Sequence, residues 1–110
     1  MTKVKSLATL NQISQLILDV KLSALQSAAA KRQNSLDLLA ELNRPAPEDD
    51  LPLIVRYQAD LRYQGWAEAR RSEINAVLAR QTAEMLVARD DAGQAFGRNQ
   101  TLRSLQGKPR

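Results

Sequence analysis

The residues best placed for chemistry lie in one short stretch, DDAGQAFGR, at residues 90–98. Its acids and glycines raise the question of a phosphate loop or a calcium loop. A phosphate loop also needs a Lys followed by Ser or Thr and a preceding strand, and both are missing. A calcium loop needs a later bidentate Glu, which is also missing. Asp90 and Asp91 are neighbours on a predicted helix and point about 100° apart, so we expect no shared-proton pair.

The composition excludes other common chemistries. The sequence has no His and no Cys, so the usual zinc ligand sets, disulfides and the commonest general base are absent. The stretch LILDVKLSAL is faintly similar to the first helix of the helical chorismate mutases. The cationic residue expected upstream is missing, because Leu10, Asn11 and Gln12 occupy that region. We therefore predict a protein that is not an enzyme and that holds no metal or cofactor.

The charge pattern gives little support to nucleic-acid or membrane binding. The net charge is +4, with basic residues concentrated near both termini. The arginines between residues 56 and 89 alternate with acids that would repel phosphates, so no continuous phosphate track is expected. No apolar run approaches the ~20 residues of a membrane span, and the N-terminal stretch lacks a signal-peptide core. The sequence predicts a cytoplasmic protein without stable membrane insertion.

Helical periodicity dominates the first part of the chain. The apolar residues recur at steps of three and four, which is typical of one broad helical face. They form two neighbouring stripes: Leu10, Ile13, Ile17, Val20, Ala24 and Ala28, and then Leu18, Leu22, Leu25, Ala29, Leu36 and Leu39. Asn43 is expected to close this helix in a left-handed conformation, because Pro45 cannot continue it. We predict a first helix over about 5–42.

The stretch NRPAPEDD predicts a turn at 43–50, and a second helix follows over about 51–106. Asp49 or Asp50 could cap that helix, and Gly65 would weaken it by roughly 1 kcal/mol. An alternation of four and three marks a heptad seam. The seam comprises Ile74, Leu78, Gln81, Met85, Ala88, Ala92, Ala95, Asn99 and Leu102. The chain is thus predicted to be one all-α domain, 1–110: an antiparallel two-helix coiled-coil hairpin with a longer C-terminal helix.

Folding the chain tightly about this turn gives a predicted register. Ala28, Ala29 and Ala30 would face Gly65 and Trp66, and Leu10 would face Met85. At ~1.5 Å per residue the first helix is roughly 50–57 Å long and the second roughly 80 Å, so residues 90–106 would overhang by ~25 Å. Large apolar residues persist in that segment, which indicates a docking surface. The predicted partner-binding residues are Arg89, Phe96, Arg98, Leu102, Arg103 and Leu105.

A short helical hairpin with a longer C-terminal helix resembles the FliJ family of flagellar export proteins and the YscO-like proteins of type III secretion. The stretches that carry the resemblance are LATLNQISQLILDVKLSAL and WAEARRSEINAVLARQTAEMLVARDDAGQAFGRNQTLRSL. It covers nearly the whole chain, but it rests on coiled-coil pattern, length and charge. This chain is shorter than the usual flagellar member, and its loop is abbreviated.

The resemblance implies a coiled-coil adaptor that binds the hexameric export ATPase and contacts the export gate or substrate chaperones. It also implies a peripheral position at a membrane export apparatus. Arg98 and Arg103 would then be attracted to acids lining the ATPase ring. Two alternatives remain: a small export chaperone that holds a secreted subunit through Leu18, Leu22 and Leu25, or a self-assembling structural coiled coil with Phe96 buried. Because one hairpin buries little core, a homo-oligomer or a bound partner is expected in every case.

Overall fold

The structure, a computed structural model, describes residues 2–45 and 50–107. Nearly all of them lie in two α-helices, α1 at Thr2–Leu42 (41 residues) and α2 at Leu53–Gly107 (55 residues). No described residue lies in a strand, which confirms the predicted all-α class. Within the described ranges, neither helix contains a window apolar enough to cross a bilayer. The predicted turn at 43–50, the proposed cap Asp49 and the basic tail residues Lys108 and Arg110 lie partly or wholly outside the described residues.

The helix ends differ from the prediction in their local chemistry. No described non-glycine residue has a positive φ, so the predicted left-handed conformation of Asn43 is wrong. Instead, the Arg44 N–H donates to the Glu41 carbonyl at 3.3 Å, which tightens the last turn in the manner of a 3₁₀ helix. Pro52 directly precedes α2, and its carbonyl accepts from the Arg56 N–H at 3.0 Å. The start of α2 thus follows a proline, which has no N–H to lose there.

The chain divides into two compact units, and each contains a segment of both helices. The terminal unit comprises residues 1–30 and 83–110. In this unit, Ser14, Leu18, Ala92, Ala95 and Asn99 are buried. Asn11 bonds the Leu102 carbonyl and the Gln106 side chain, whereas Ser14 bonds Asn99. Residues further along α1 contact residues earlier in α2. The two segments therefore run in opposite directions.

The loop-side unit comprises residues 31–82. Ser35, Ala67 and Ile74 are its buried residues among those described. The Arg32 Nε donates to the Thr82 Oγ1 at 3.0 Å, and Asn43 accepts from the Arg71 guanidinium at 3.0 Å. Here too, residues further along α1 contact residues earlier in α2. The loop-side unit is therefore also an antiparallel helix pair.

These contacts overturn the predicted register. Arg32 contacts Thr82, whereas the predicted register would bring it to Arg62. Asn99 is 2% exposed, so the predicted overhang at 90–106 is wrong: α1 packs against that segment within the terminal unit. Among the described residues, the beginning of α2 lacks a segment of α1 beside it.

The physical reason for this register is the length of the heptad seam. All nine seam residues predicted on α2, from Ile74 to Leu102, are buried or half-buried. A register set tightly at the turn would have left the last part of that seam without a partner. The observed register covers it, and small residues such as Ala92 and Ala95 let the backbones of the two helices approach closely. Packing along the whole seam therefore stabilises this register more than a tight turn would stabilise the predicted one.

Candidate protein-docking surfaces

The described residues contain no group of three or more His, Cys, Asp or Glu side chains that could hold a metal ion. Asp90 is exposed, and Asp91, its neighbour on α2, is half-buried. More informative is the distribution of large apolar side chains, many of which lie in solvent. Three surfaces of this kind can be distinguished on the two helices.

The first surface comes from the predicted partner-binding residues, all of which lie in the terminal unit. Arg89, Phe96, Arg98, Arg103 and Leu105 are exposed. Leu102 is half-buried and belongs to the seam, where its carbonyl accepts from Asn11. The Arg103 guanidinium donates to the Gln15 Oε1 at 2.8 Å, so it also contributes to the contact between the helices.

The structure does not bring these six residues into one patch. Arg89, Phe96 and Arg103 recur at heptad intervals, one position after seam residues, and form what we call the Phe96 flank. Arg98 and Leu105 also recur at a heptad interval, but on the other side of the seam. Each flank points about 100° from the seam, so the two flanks face away from each other. A single flat partner surface can contact only one of them.

The second surface lies at the start of α2, and the sequence pattern did not predict it. Every residue from 53 to 62, which we call the free end of α2, is exposed. Leu53 and Ile54 are 81% and 72% exposed, and Tyr57 and Leu61 also lie in solvent. Nearby, Tyr63 reaches the carbonyl of Leu42, the last residue of α1. The residues before it therefore lie beyond the end of α1.

The free end combines apolar side chains with a few charges. A shallow groove on it is lined by Leu53, Ile54, Arg56, Tyr57 and Asp60. Ile54, Tyr57 and Leu61 follow the spacing with which a helix inserts apolar anchors into the groove of another protein. This arrangement is suited to binding a protein and lacks the enclosed, convergent polar groups of a small-molecule site.

The third surface lies on α1 within the terminal unit. Leu10, Ile13, Ile17 and Val20, which we call the outer stripe, are all exposed. The sequence pattern predicted that they would face α2, together with the neighbouring stripe. Of that neighbouring stripe, Leu18 is buried and Leu22 remains exposed.

The outer stripe was misassigned because its residues are the larger and more apolar ones. The residues of α1 that face α2 include several small or polar ones. They form an unbroken heptad alternation, which is the signal that could have identified the seam. In the terminal unit these residues are Leu7, Asn11, Ser14, Leu18, Lys21, Leu25 and Ala28, all buried or half-buried.

The chain matches no family model, no curated protein and no solved structure.

Proposed function

We propose that this chain is a non-enzymatic coiled-coil adaptor that binds the ring-shaped ATPase of a flagellar or type III export apparatus. In this role it couples the ATPase to the export gate or to substrate chaperones, on the cytoplasmic side of the membrane. The observation that supports an adaptor is the free end of α2, an exposed helical segment with large apolar side chains and no segment of α1 beside it. Such a surface favours docking to another protein.

The identity of the partner rests on the resemblance to FliJ-like and YscO-like proteins. The location of the contact rests on the geometry of the free end. Ile54, Tyr57 and Leu61 supply apolar anchors, and Arg56 and Arg62 supply positive charge near them. Acidic side chains on an ATPase ring would raise the rate of association with such a surface.

The Phe96 flank remains a predicted second contact, which in this proposal serves the export gate or a chaperone. Phe96 is 54% exposed between two arginines at heptad intervals, Arg89 and Arg103. Aromatic and Arg side chains are enriched among residues that dominate binding energies. An adaptor needs at least two contacts, and the free end and the Phe96 flank offer two separate surfaces.

The chaperone alternative receives less support. It requires Leu18, Leu22 and Leu25 to be available together to a secreted subunit. Leu18 is buried in the seam, so exposing it would require the pair of helices to separate. The resulting loss of seam contacts opposes binding through this groove.

The proposal is tested with the full chain and the purified export ATPase of the same organism. Binding and ATP turnover are measured for the wild type, for Ile54→Glu/Tyr57→Glu at the free end, and for Phe96→Glu as a matched exposed change elsewhere. We expect the free-end variant to weaken binding by more than about tenfold and to abolish any effect on turnover, because each Glu buries a charge at the contact. Phe96→Glu should retain binding to the ATPase.

Far-UV circular dichroism confirms that each variant is folded, which is expected because all three residues are exposed. Loss of ATPase binding in Phe96→Glu alone would move the contact from the free end to the Phe96 flank. No binding by the wild-type chain would reject the ATPase adaptor altogether.

A further inference from the structure

The outer stripe of α1 is a row of aliphatic side chains that nothing in the terminal unit covers. Its four residues recur at steps of three, four and three, and Leu16, also exposed, lies beside them. Val20 is 66% exposed. Removing apolar surface from water is favourable in proportion to the area buried, so the row favours association with another apolar surface.

The paired segment of α2 cannot be that surface. The seam of α1 lies one residue further along the chain than the outer stripe, about 100° around the helix. Asn11 and Ser14 fix this orientation through their hydrogen bonds to Gln106 and Asn99. Turning the outer stripe toward α2 would break those bonds and expose Leu18. The occupant must therefore come from outside the paired segments of the terminal unit.

The outer stripe is complementary to its own reversed copy. In an antiparallel pair of α1 helices, Leu10 of one copy lies opposite Val20 of the other, and Ile13 lies opposite Ile17. Each of these contacts then occurs twice about a two-fold axis, as in an isologous dimer. Leu16 lies near that axis, so the two copies of Leu16 approach each other. No position of the stripe is left without an apolar residue opposite it.

The charge pattern also fits a second copy better than a charged partner. Residues 6–18 contain no charged residue. The two charges within the paired region are Asp19 and Lys21, and the reversed copy places them opposite Asn11 and Thr9. Within this segment of α1, no like charges are brought together, and no cluster of one sign is available to select an acidic or basic partner.

The chain has enough exposed surface for such an interface. Its accessible surface is 8807 Å². An interface of standard size covers about 800 Å² of each partner, which is a small part of this exposed surface.

We propose that the outer stripe is a homodimer interface, in which two copies of α1 pack antiparallel through Leu10, Ile13, Ile17 and Val20. The interface lies on α1 and is separate from both the free end of α2 and the Phe96 flank. It goes beyond the adaptor function and does not depend on the identity of any partner. The dimer presents two copies of each docking surface to an assembly.

The first test is the mass of the full chain in solution, measured by sedimentation equilibrium from low to high micromolar concentration. The wild type should reach twice the 12.2 kDa of one chain. Ile17→Glu should remain monomeric over that range. The matched control is Leu86→Glu on α2, because Leu86 and Ile17 are both 47% exposed in the terminal unit. This control should dimerise like the wild type.

A second test fixes the direction and register of the pair. The sequence has no cysteine, so single cysteines can be introduced without background. Ile13→Cys and Ile17→Cys chains are mixed and oxidised. The antiparallel register predicts a disulfide between the two different chains, because residues 13 and 17 lie opposite each other across the axis. Each variant alone should cross-link poorly, since a disulfide needs Cα atoms within about 7 Å.

Several outcomes would overturn the proposal. A monomeric wild type at high micromolar concentration would reject the dimer. A dimer that survives Ile17→Glu but not Leu86→Glu would place the contact on α2. Efficient cross-linking of Ile13→Cys with itself would indicate a parallel pair and would reject the antiparallel register. All variants are checked for helical content, so a loss of fold is distinguished from a loss of association.

Discussion

At the scale of single residues, the most informative side chain is Asn99. It is almost fully buried in the seam of the terminal unit, and its Nδ2 donates to the Ser14 Oγ at 3.1 Å. A buried Asn at a seam position fixes register at a cost in stability. This bond is available only in the observed register. The hydrogen bond between Asn99 and Ser14 therefore favours this register and also helps to hold the two helices together.

The prediction at this scale is a double-mutant cycle on Asn99 and Ser14. Asn99→Ala should lower the free energy of unfolding by about 1–2 kcal/mol, because it leaves a buried hydroxyl without its donor. Ser14→Ala added to Asn99→Ala should cost much less than Ser14→Ala alone, because their shared bond is already gone. Urea unfolding followed by circular dichroism measures all four proteins at one concentration. Strictly additive costs would show that the bond has no energetic role.

At the scale of elements, the sequence predicted the helices and the seam of α2 but not the seam of α1. On α2 the apolar and small residues fall on one heptad line, from Ile74 to Leu102, so periodicity alone locates the buried face. On α1 the large aliphatic residues lie one position away from the seam. Asn11, Ser14 and Lys21 occupy seam positions instead. Ranking positions by hydrophobicity therefore selected the wrong face.

The register and the docking surface were missed for a related reason. Sequence periodicity repeats every heptad, so it fits several registers of two long helices equally well. The prediction chose the register that closes tightly at the turn, whereas the structure favours seam overlap. As a result, the uncovered part of α2 lies at its start, near Ile54, and not at residues 90–106. The exposure of Phe96 and Arg98 was expected, but their division between two flanks was not.

The element-scale prediction concerns the free end of α2. An isolated helical segment of this length is marginal in water, because most helical stability in proteins comes from packing. Backbone amides of residues 57–62 should therefore exchange at least about tenfold faster than those of residues 74–99, which open only when the seam opens. Hydrogen exchange followed by NMR measures both sets in one sample. Equal protection would show that the free end is covered in solution, by the loop or by another chain.

At the scale of the whole molecule, two kinds of contact are expected to respond differently to salt. The outer stripe is uncharged, so homodimerisation should change little between low and high ionic strength. Docking to an acidic partner through arginines such as Arg56 should weaken as salt screens the charges.

The comparison is made with the full chain at about 0.05 M and about 0.5 M NaCl, because the Debye length falls from above 10 Å to below 8 Å across that range. Sedimentation equilibrium reports the dimer, and binding to the export ATPase reports docking. We expect the dimer constant to stay within about a factor of three and the ATPase affinity to fall by about tenfold or more, because exposed charge pairs are strongly screened. A dimer that dissociates in salt would require charged contacts that the outer stripe does not have. Salt-insensitive ATPase binding would instead assign that contact to the apolar anchors alone.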